Sequence, residues 1–129
     1  MLSTPTLRRL WLLGLILYLG LIAMASLLPP PDLPLNPGRY DKLWHAAAYV
    51  LAAIGCVPLF HRWRWLLLAG VGLAGYGLLM EWLQGFGGQR SYDLLDALAN
   101  SAGVAVGLLG GISRWRGRLA AGSMSSRDR

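Results

Sequence analysis

The chain contains ionisable and amide side chains whose spacing could build one polar site. Asp41, His45 and Tyr49 follow one another at four-residue intervals, which places them on one stripe of a helix. The set that we predict to bind a ligand is Asp41, Lys42, His45, Tyr49, Glu81, Gln84, Arg90, Asp93, Asp96 and Asn100. Such groups cost several kcal/mol each near hydrocarbon unless they find partners, so we expect them to meet.

Two kinds of chemistry fit these residue types. Lys42 and Arg90 could engage phosphate, while the carboxylates could orient hydroxyl or amine groups. Alternatively, His45, Glu81 and Asp96 are candidate catalytic residues, with the histidine as general base or metal ligand and a carboxylate as its partner. Because the set contains a single histidine and no His-Glu-x-x-His pair, we predict neither a metal site nor a cofactor.

Structural roles compete with these functions. Asp93 is a good helix N-cap, and Asp96 could bond back to it as in a capping box. Asn100 is about one turn deeper, so capping does not explain it, and in hydrocarbon it needs a partner on another helix. Glu81 falls in the last turn of a predicted helix, where the dipole disfavours an anion. The groups that could offset this cost are Arg90, Lys42, His45 and a bound proton.

The elements that position these residues are predicted to cross a membrane. Of the 129 residues, 55% are hydrophobic and 14% are charged, against about 25% charged in soluble domains. Four nearly uncharged segments of spanning length cover residues 10–28, 43–60, 65–83 and 94–113. Leu-rich runs of this length favour helices over barrel strands. We therefore predict an all-α membrane domain with four transmembrane helices over residues 1–116, followed by a disordered cytoplasmic tail at 117–129.

The distribution of positive charge predicts an orientation. The net charge is +6, and most arginines precede the first span, separate the second from the third, or follow the fourth. By the positive-inside rule both termini of a four-span chain are cytoplasmic, and no nucleic acid partner is expected. The first span also resembles a cleavable signal, with small residues at Ala23 and Ala25, but its uncharged run is longer than a usual signal core, which favours retention.

An ordered set of motifs resembles the VanZ-like family of small bacterial membrane proteins, over residues 10–111. The matching residues are Asp41-Lys42-x-x-His45-x-x-x-Tyr49, Glu81-x-x-Gln84, Arg90, Asp93, Asp96, Asn100 and Gly103. The resemblance implies a link to resistance against teicoplanin, a glycopeptide antibiotic that acts on cell-wall precursors outside the membrane. It therefore suggests membrane lipids, and a cell-wall precursor or glycopeptide, as partners.

Three functions remain open from the sequence. The first is a cell-envelope protein that binds a lipid headgroup or cell-wall precursor at the outer membrane face. The second is a membrane enzyme that modifies an envelope lipid. The third is a small multidrug-type exporter, but transport of that kind needs an ionisable group near the membrane midplane, and here the ionisable groups cluster at one end of the predicted helices.

Overall fold

Four long helices make up the described part of the chain. The computed structural model describes residue 2 and residues 4–28, 37–60, 62–86 and 93–125, with the side chains of residues 37–39, 41 and 114–125 outside the description. The helices are α1 (Pro5–Leu27), α2 (Pro37–Cys56), α3 (Trp63–Phe86) and α4 (Leu94–Ser125), with a short 3-10 turn at Val57–Leu59 after α2. All four are long and apolar enough to cross a membrane. For the described residues, the prediction of an all-helical chain with four candidate spans is confirmed.

Local capping explains where α1 and α4 begin. The Thr4 hydroxyl accepts a hydrogen bond from the Leu7 N–H at 3.3 Å, and Pro5 occupies the first helical position. The helix therefore starts before residue 10, where the apolar run begins. Asp93 caps α4 in the predicted manner, because its Oδ1 accepts the N–H of Leu95 at 2.8 Å.

Glycines bring α2 and α4 into close contact. An added Cβ at Gly103 or Gly107 would collide with the carbonyl oxygens of Ala46 and Val50 in α2. Backbones that approach this closely are typical of membrane helices packed through small residues. These α4 glycines thus form an internal packing seam, and α2 makes its most extensive interface with α4. Although only a short connection separates α2 from α3 in the chain, α2 makes a much smaller interface with α3.

The glycines of α3 divide into two groups. Gly70 packs against Leu108 of α4, and Gly77 lies against Tyr49 and Asn100. Gly72 and Gly75, in contrast, have no side chain or neighbouring helix near the position of an added Cβ among the described residues. Only one of these two groups of α3 glycines therefore packs against other helices of the described structure.

The ends of α1 and α3 lie beside the starts of α2 and α4. Contacts between these ends, described below, establish an up-and-down arrangement with the polar residues at one end. Large apolar side chains cover the outer faces of all four helices, as in Leu21, Trp44, Val71 and Leu109, which are 60 to 72% exposed. At the other end, residues 126–129 of the tail predicted at 117–129 lie outside the described residues, and α4 continues to Ser125. Arg, Leu and Ala in this segment are strong helix formers.

Candidate functional site

The outermost layer of the site joins the start of α2 to the start of α4. Lys42 Nζ lies 2.6 Å from Asp93 Oδ2 and 2.7 Å from Asp96 Oδ1, so one ammonium bridges two carboxylates. The side chains of Lys42 and Asp93 are 43% and 40% exposed, whereas that of Asp96 is 11% exposed. One formal positive charge faces two negative ones, so the trio of Lys42, Asp93 and Asp96 carries a net negative charge.

Asp93 has two roles in this layer. One carboxylate oxygen caps α4 and the other accepts the Lys42 ammonium. The Lys42 ammonium first, and the Leu95 N–H second, hold the pKa of Asp93 below its ordinary value of 3.8. Asp96, for which a capping-box role was one interpretation, accepts a hydrogen bond from Lys42 across the helix interface.

The middle layer joins α2 to the end of α3. His45 Nδ1 lies 3.2 Å from Glu81 Oε1, and the two side chains are 13% and 1% exposed. His45 is thus one of the groups that offset the cost of burying Glu81 in the last turn of α3, as the sequence suggested. A protonated imidazole at this distance forms an ion pair with the carboxylate.

The innermost layer lies about two turns below Lys42 along α2. Tyr49 and Asn100 are 2% and 1% exposed, and both pack against Gly77 of α3. The Tyr49 hydroxyl and both polar atoms of the Asn100 amide have no hydrogen-bond partner among the described residues. Asn100 therefore packs against α3, and the hydrogen-bond partner predicted for it on another helix is not found among the described residues. Buried polar groups of this kind cost about 1–3 kcal/mol each when unsatisfied.

Helix α1 closes the side of the site through hydrogen bonds to its backbone. Gln84 Nε2 donates to the Ser26 carbonyl at 2.8 Å in a buried contact, and the Tyr76 hydroxyl donates to the Leu19 carbonyl at 2.7 Å. The Tyr18 hydroxyl donates in the other direction, to the Ala48 carbonyl of α2 at 3.1 Å. Gln84 thus contributes to the site by positioning α1.

The structure brings most of the predicted residues together. We use the name polar cluster for Lys42, His45, Tyr49, Glu81, Asp93, Asp96 and Asn100, which come from α2, α3 and the start of α4. Gln84 lies at the border of this cluster with α1. Two predicted residues cannot be placed, because Arg90 and the side chain of Asp41 lie outside the described residues.

Sequence reasoning missed the contribution of α1 and of two tyrosines. Tyr18 and Tyr76 carry hydroxyls inside predicted spans, and a buried hydroxyl usually finds a partner, so their presence was an available signal. Ser26 had no comparable signal, because it acts through its main-chain carbonyl.

The charges limit what the cluster can bind. Among the described groups of the cluster, three acidic residues, Glu81, Asp93 and Asp96, stand against one lysine, Lys42. Hydroxyl and amine groups of a ligand are therefore better matched to this part of the site than a phosphate alone. Within the described ranges, no group of three or more His, Cys, Asp or Glu residues is arranged to hold a metal ion.

Comparison with known proteins adds no relative. No family model, no curated protein and no solved structure matches this chain.

Proposed function

We propose that this chain is a multi-pass protein of the bacterial inner membrane, with both termini cytoplasmic, that binds the polar headgroup of an envelope lipid or cell-wall precursor. The observation that carries this proposal is the polar cluster at one end of the helix bundle. Its residues come from three helices, and their burial increases from Lys42 to Asn100. Apolar outer helix faces support insertion in a bilayer, because an exposed apolar surface of this extent is rare on soluble monomers.

The polar chemistry of the cluster supports a headgroup as ligand. Its outer acids, Asp93 and Asp96, stand beside a partly exposed ammonium, so they can accept hydrogen bonds from ligand hydroxyls or amines. Deeper in the cluster, Tyr49 and Asn100 retain hydrogen-bonding capacity that the described residues do not use. The resemblance to the VanZ-like family supports the further proposal of a role in glycopeptide resistance, since teicoplanin acts on precursors at the outer membrane face.

Substitutions in the cluster test the binding function in cells. We expect Lys42→Ala and Asp96→Asn to abolish the phenotype that the intact gene confers against teicoplanin or envelope stress. Gly72→Ala is the matched control, because its position is remote from the cluster and open in the described structure. Immunoblots of membrane fractions must show equal amounts of all variants. Unchanged drug and stress sensitivity of the cluster variants would count against the proposal.

A second candidate function is a membrane enzyme that modifies an envelope lipid. The approach of His45 to the buried Glu81 favours it, because a histidine oriented by a carboxylate is a common general base. In this mechanism His45 would take a proton from a ligand hydroxyl, and Glu81 would stabilise the imidazolium that forms.

Lipid profiling distinguishes binding from catalysis. If the chain is an enzyme, cells carrying His45→Ala should accumulate an unmodified lipid and lack its product. If it only binds, the lipid profile should match that of the wild type, while lipids that co-purify with the protein change. Native mass spectrometry of the purified protein identifies those lipids directly.

A further inference from the structure

A cavity lies between α1 and α2, directly beside the polar cluster. It has a volume of about 330 Å³ and is lined by Tyr18, Leu21, Ala25, Trp44, His45 and Ala48, among others. We use the name α1–α2 groove for it. This volume is at the lower end of the range for sites that bind small molecules, roughly 300–1,000 Å³.

The groove has a polar end and apolar walls. His45 and Ser26 lie at its cluster end, and Tyr49 also lines it. Leu21 and Trp44 stand beside it on the outer surface and are 60% and 72% exposed. The surface continuous with the groove is therefore the apolar outer surface of the bundle, from which a ligand with a hydrocarbon part could enter.

The length of the groove corresponds to one leaflet of a bilayer. Tyr18 lies nine residues from the end of α1 at Leu27, which is roughly 14 Å along a helix. The hydrocarbon core of a bilayer is about 30 Å thick, so the groove extends from the cluster to near the midplane. There Tyr18 crosses to α2 through its hydrogen bond to the Ala48 carbonyl.

A second cavity continues along the same two helices on the far side of Tyr18. Its volume is about 450 Å³, and its lining includes Leu7, Trp11 and Gly55. The Trp11 indole N–H donates to the Gly55 carbonyl at 2.8 Å. The α1–α2 boundary is thus open on both sides of Tyr18, in contrast to the closely packed α2–α4 interface.

We infer that the α1–α2 groove holds one hydrocarbon chain of a membrane amphiphile whose headgroup lies at the polar cluster. This inference rests on the proposed headgroup-binding function and adds the ligand class and the route of entry. The ligand enters sideways from the leaflet beside the cluster, because the groove joins the lipid-facing surface to His45. A ligand without a hydrocarbon chain would leave the apolar walls unfilled.

Photolabelling of the full chain in vesicles tests the inference. The probe is phosphatidylethanolamine with a diazirine midway along one acyl chain, at low mole fraction in phosphatidylcholine. We expect labelling to concentrate around Tyr18, Ala25 and Ala48, several-fold above the exposed positions Val71 and Leu109. Equal labelling at all exposed positions would overturn the inference, because it would indicate bulk lipid only.

A variant that fills the groove provides the second measurement. Ala25→Trp places a large ring in the groove without changing a residue of the polar cluster and should lower the labelling near Tyr18 several-fold. Ala105→Trp is the matched control, since Ala105 is an exposed alanine of α4 outside the groove, and it should leave this labelling unchanged. Groove labelling that persists in Ala25→Trp would also overturn the inference.

Probes with other headgroups separate this inference from the proposed function. The same diazirine chain is attached to phosphatidylglycerol and to phosphatidylcholine, and co-purifying lipids are identified by native mass spectrometry. If groove labelling is equal for all headgroups but is lost in Ala25→Trp, the result supports the hydrocarbon site and contradicts headgroup binding. If lipids with one headgroup co-purify with the protein but photolabelling is uniform over the exposed positions, the result supports headgroup binding and contradicts the hydrocarbon site in the groove.

Discussion

The α2–α4 interface and the docking of α1 represent two different ways of joining helices. Between α2 and α4, glycines let the backbones meet, and Lys42 bridges the helix starts to Asp93 and Asp96. Between α1 and its neighbours, cavities remain, and hydrogen bonds from long side chains to main-chain carbonyls span the gap.

This difference gives the two regions different roles: the α2–α4 interface is a closely packed scaffold, and α1 forms an incompletely packed boundary. Polar groups need fixed positions to form a site, and the close α2–α4 contact supplies them for the trio at Lys42. The proposed opening toward the bilayer needs a boundary that is incompletely packed, and the cavities beside α1 provide one. Gly14 and Gly20 of α1 show the same incomplete packing, because an added Cβ at either would meet no neighbouring side chain or helix in the described structure.

The largest expected effect comes from the glycine seam. Gly103→Ala adds a methyl group that collides with the Ala46 carbonyl, and we expect it to lower the free energy of unfolding by about 3 kcal/mol. Unfolding in mixed detergent micelles measures this value. Gly110→Ala is the control, because Gly110 in the same helix has open space at that position. Equal stability of the two variants would contradict the close α2–α4 contact.

Loss of the bridging cation should have the next largest effect. Lys42→Met leaves Asp93 and Asp96 without their shared ammonium, so we expect the melting temperature at low salt to fall by several degrees. Asp96→Asn in the same chain should recover part of this loss by removing the repulsion between carboxylates. Arg62→Met, at an exposed position between α2 and α3, is the control. A loss no greater than that of this control would show that the trio does not stabilise the scaffold.

Removal of a single α1 contact should cost less. Tyr76→Phe deletes the hydrogen bond to the Leu19 carbonyl, and we expect a loss of about 1 kcal/mol in the free energy of unfolding. Tyr40→Phe is the matched control, because Tyr40 is 54% exposed. If Tyr76→Phe destabilised as much as Gly103→Ala, then α1 would belong to the scaffold and the contrast between the two regions would fail.

The smallest expected effect is the pH dependence of the Lys42–Asp93 pair. The folded-state pKa of Asp93 is below its ordinary value of 3.8, so folding favours the ionised form. The stabilisation is complete well above this ordinary value and is lost as the pH falls through the lower folded-state pKa. Asp93→Asn keeps an N-cap but removes the charge.

Melting temperatures of the wild type and of Asp93→Asn, measured side by side, test this dependence. Their difference should be constant from neutral pH to about pH 5 and should shrink at more acidic pH. A difference that grows on acidification would have the opposite sign and would contradict the ion pair.

Much of the site was predictable because its residues have strong local signals. Asp93 before an apolar run predicted a cap, and Glu81 near the end of an apolar helix predicted a nearby compensating group. The structure places Lys42 with the acids of α4 and His45 with Glu81. The choice between these partners was open in the sequence, because it depends on how each helix is rotated about its axis.

The sequence alone determined the number of helices and the end of the bundle at which the polar residues gather. Hydropathy, capping and residue spacing are local properties, so they can be recognised in the sequence itself. Tertiary structure alone decided that α2 packs chiefly on α4, that Gln84 and Tyr76 contact α1, and that a groove lies between α1 and α2. These outcomes depend on where two backbones can approach each other. Gly103 and Gly107 of α4 lie against the α2 backbone, whereas some glycines of α1 and α3 have no neighbouring helix beside them in the described structure.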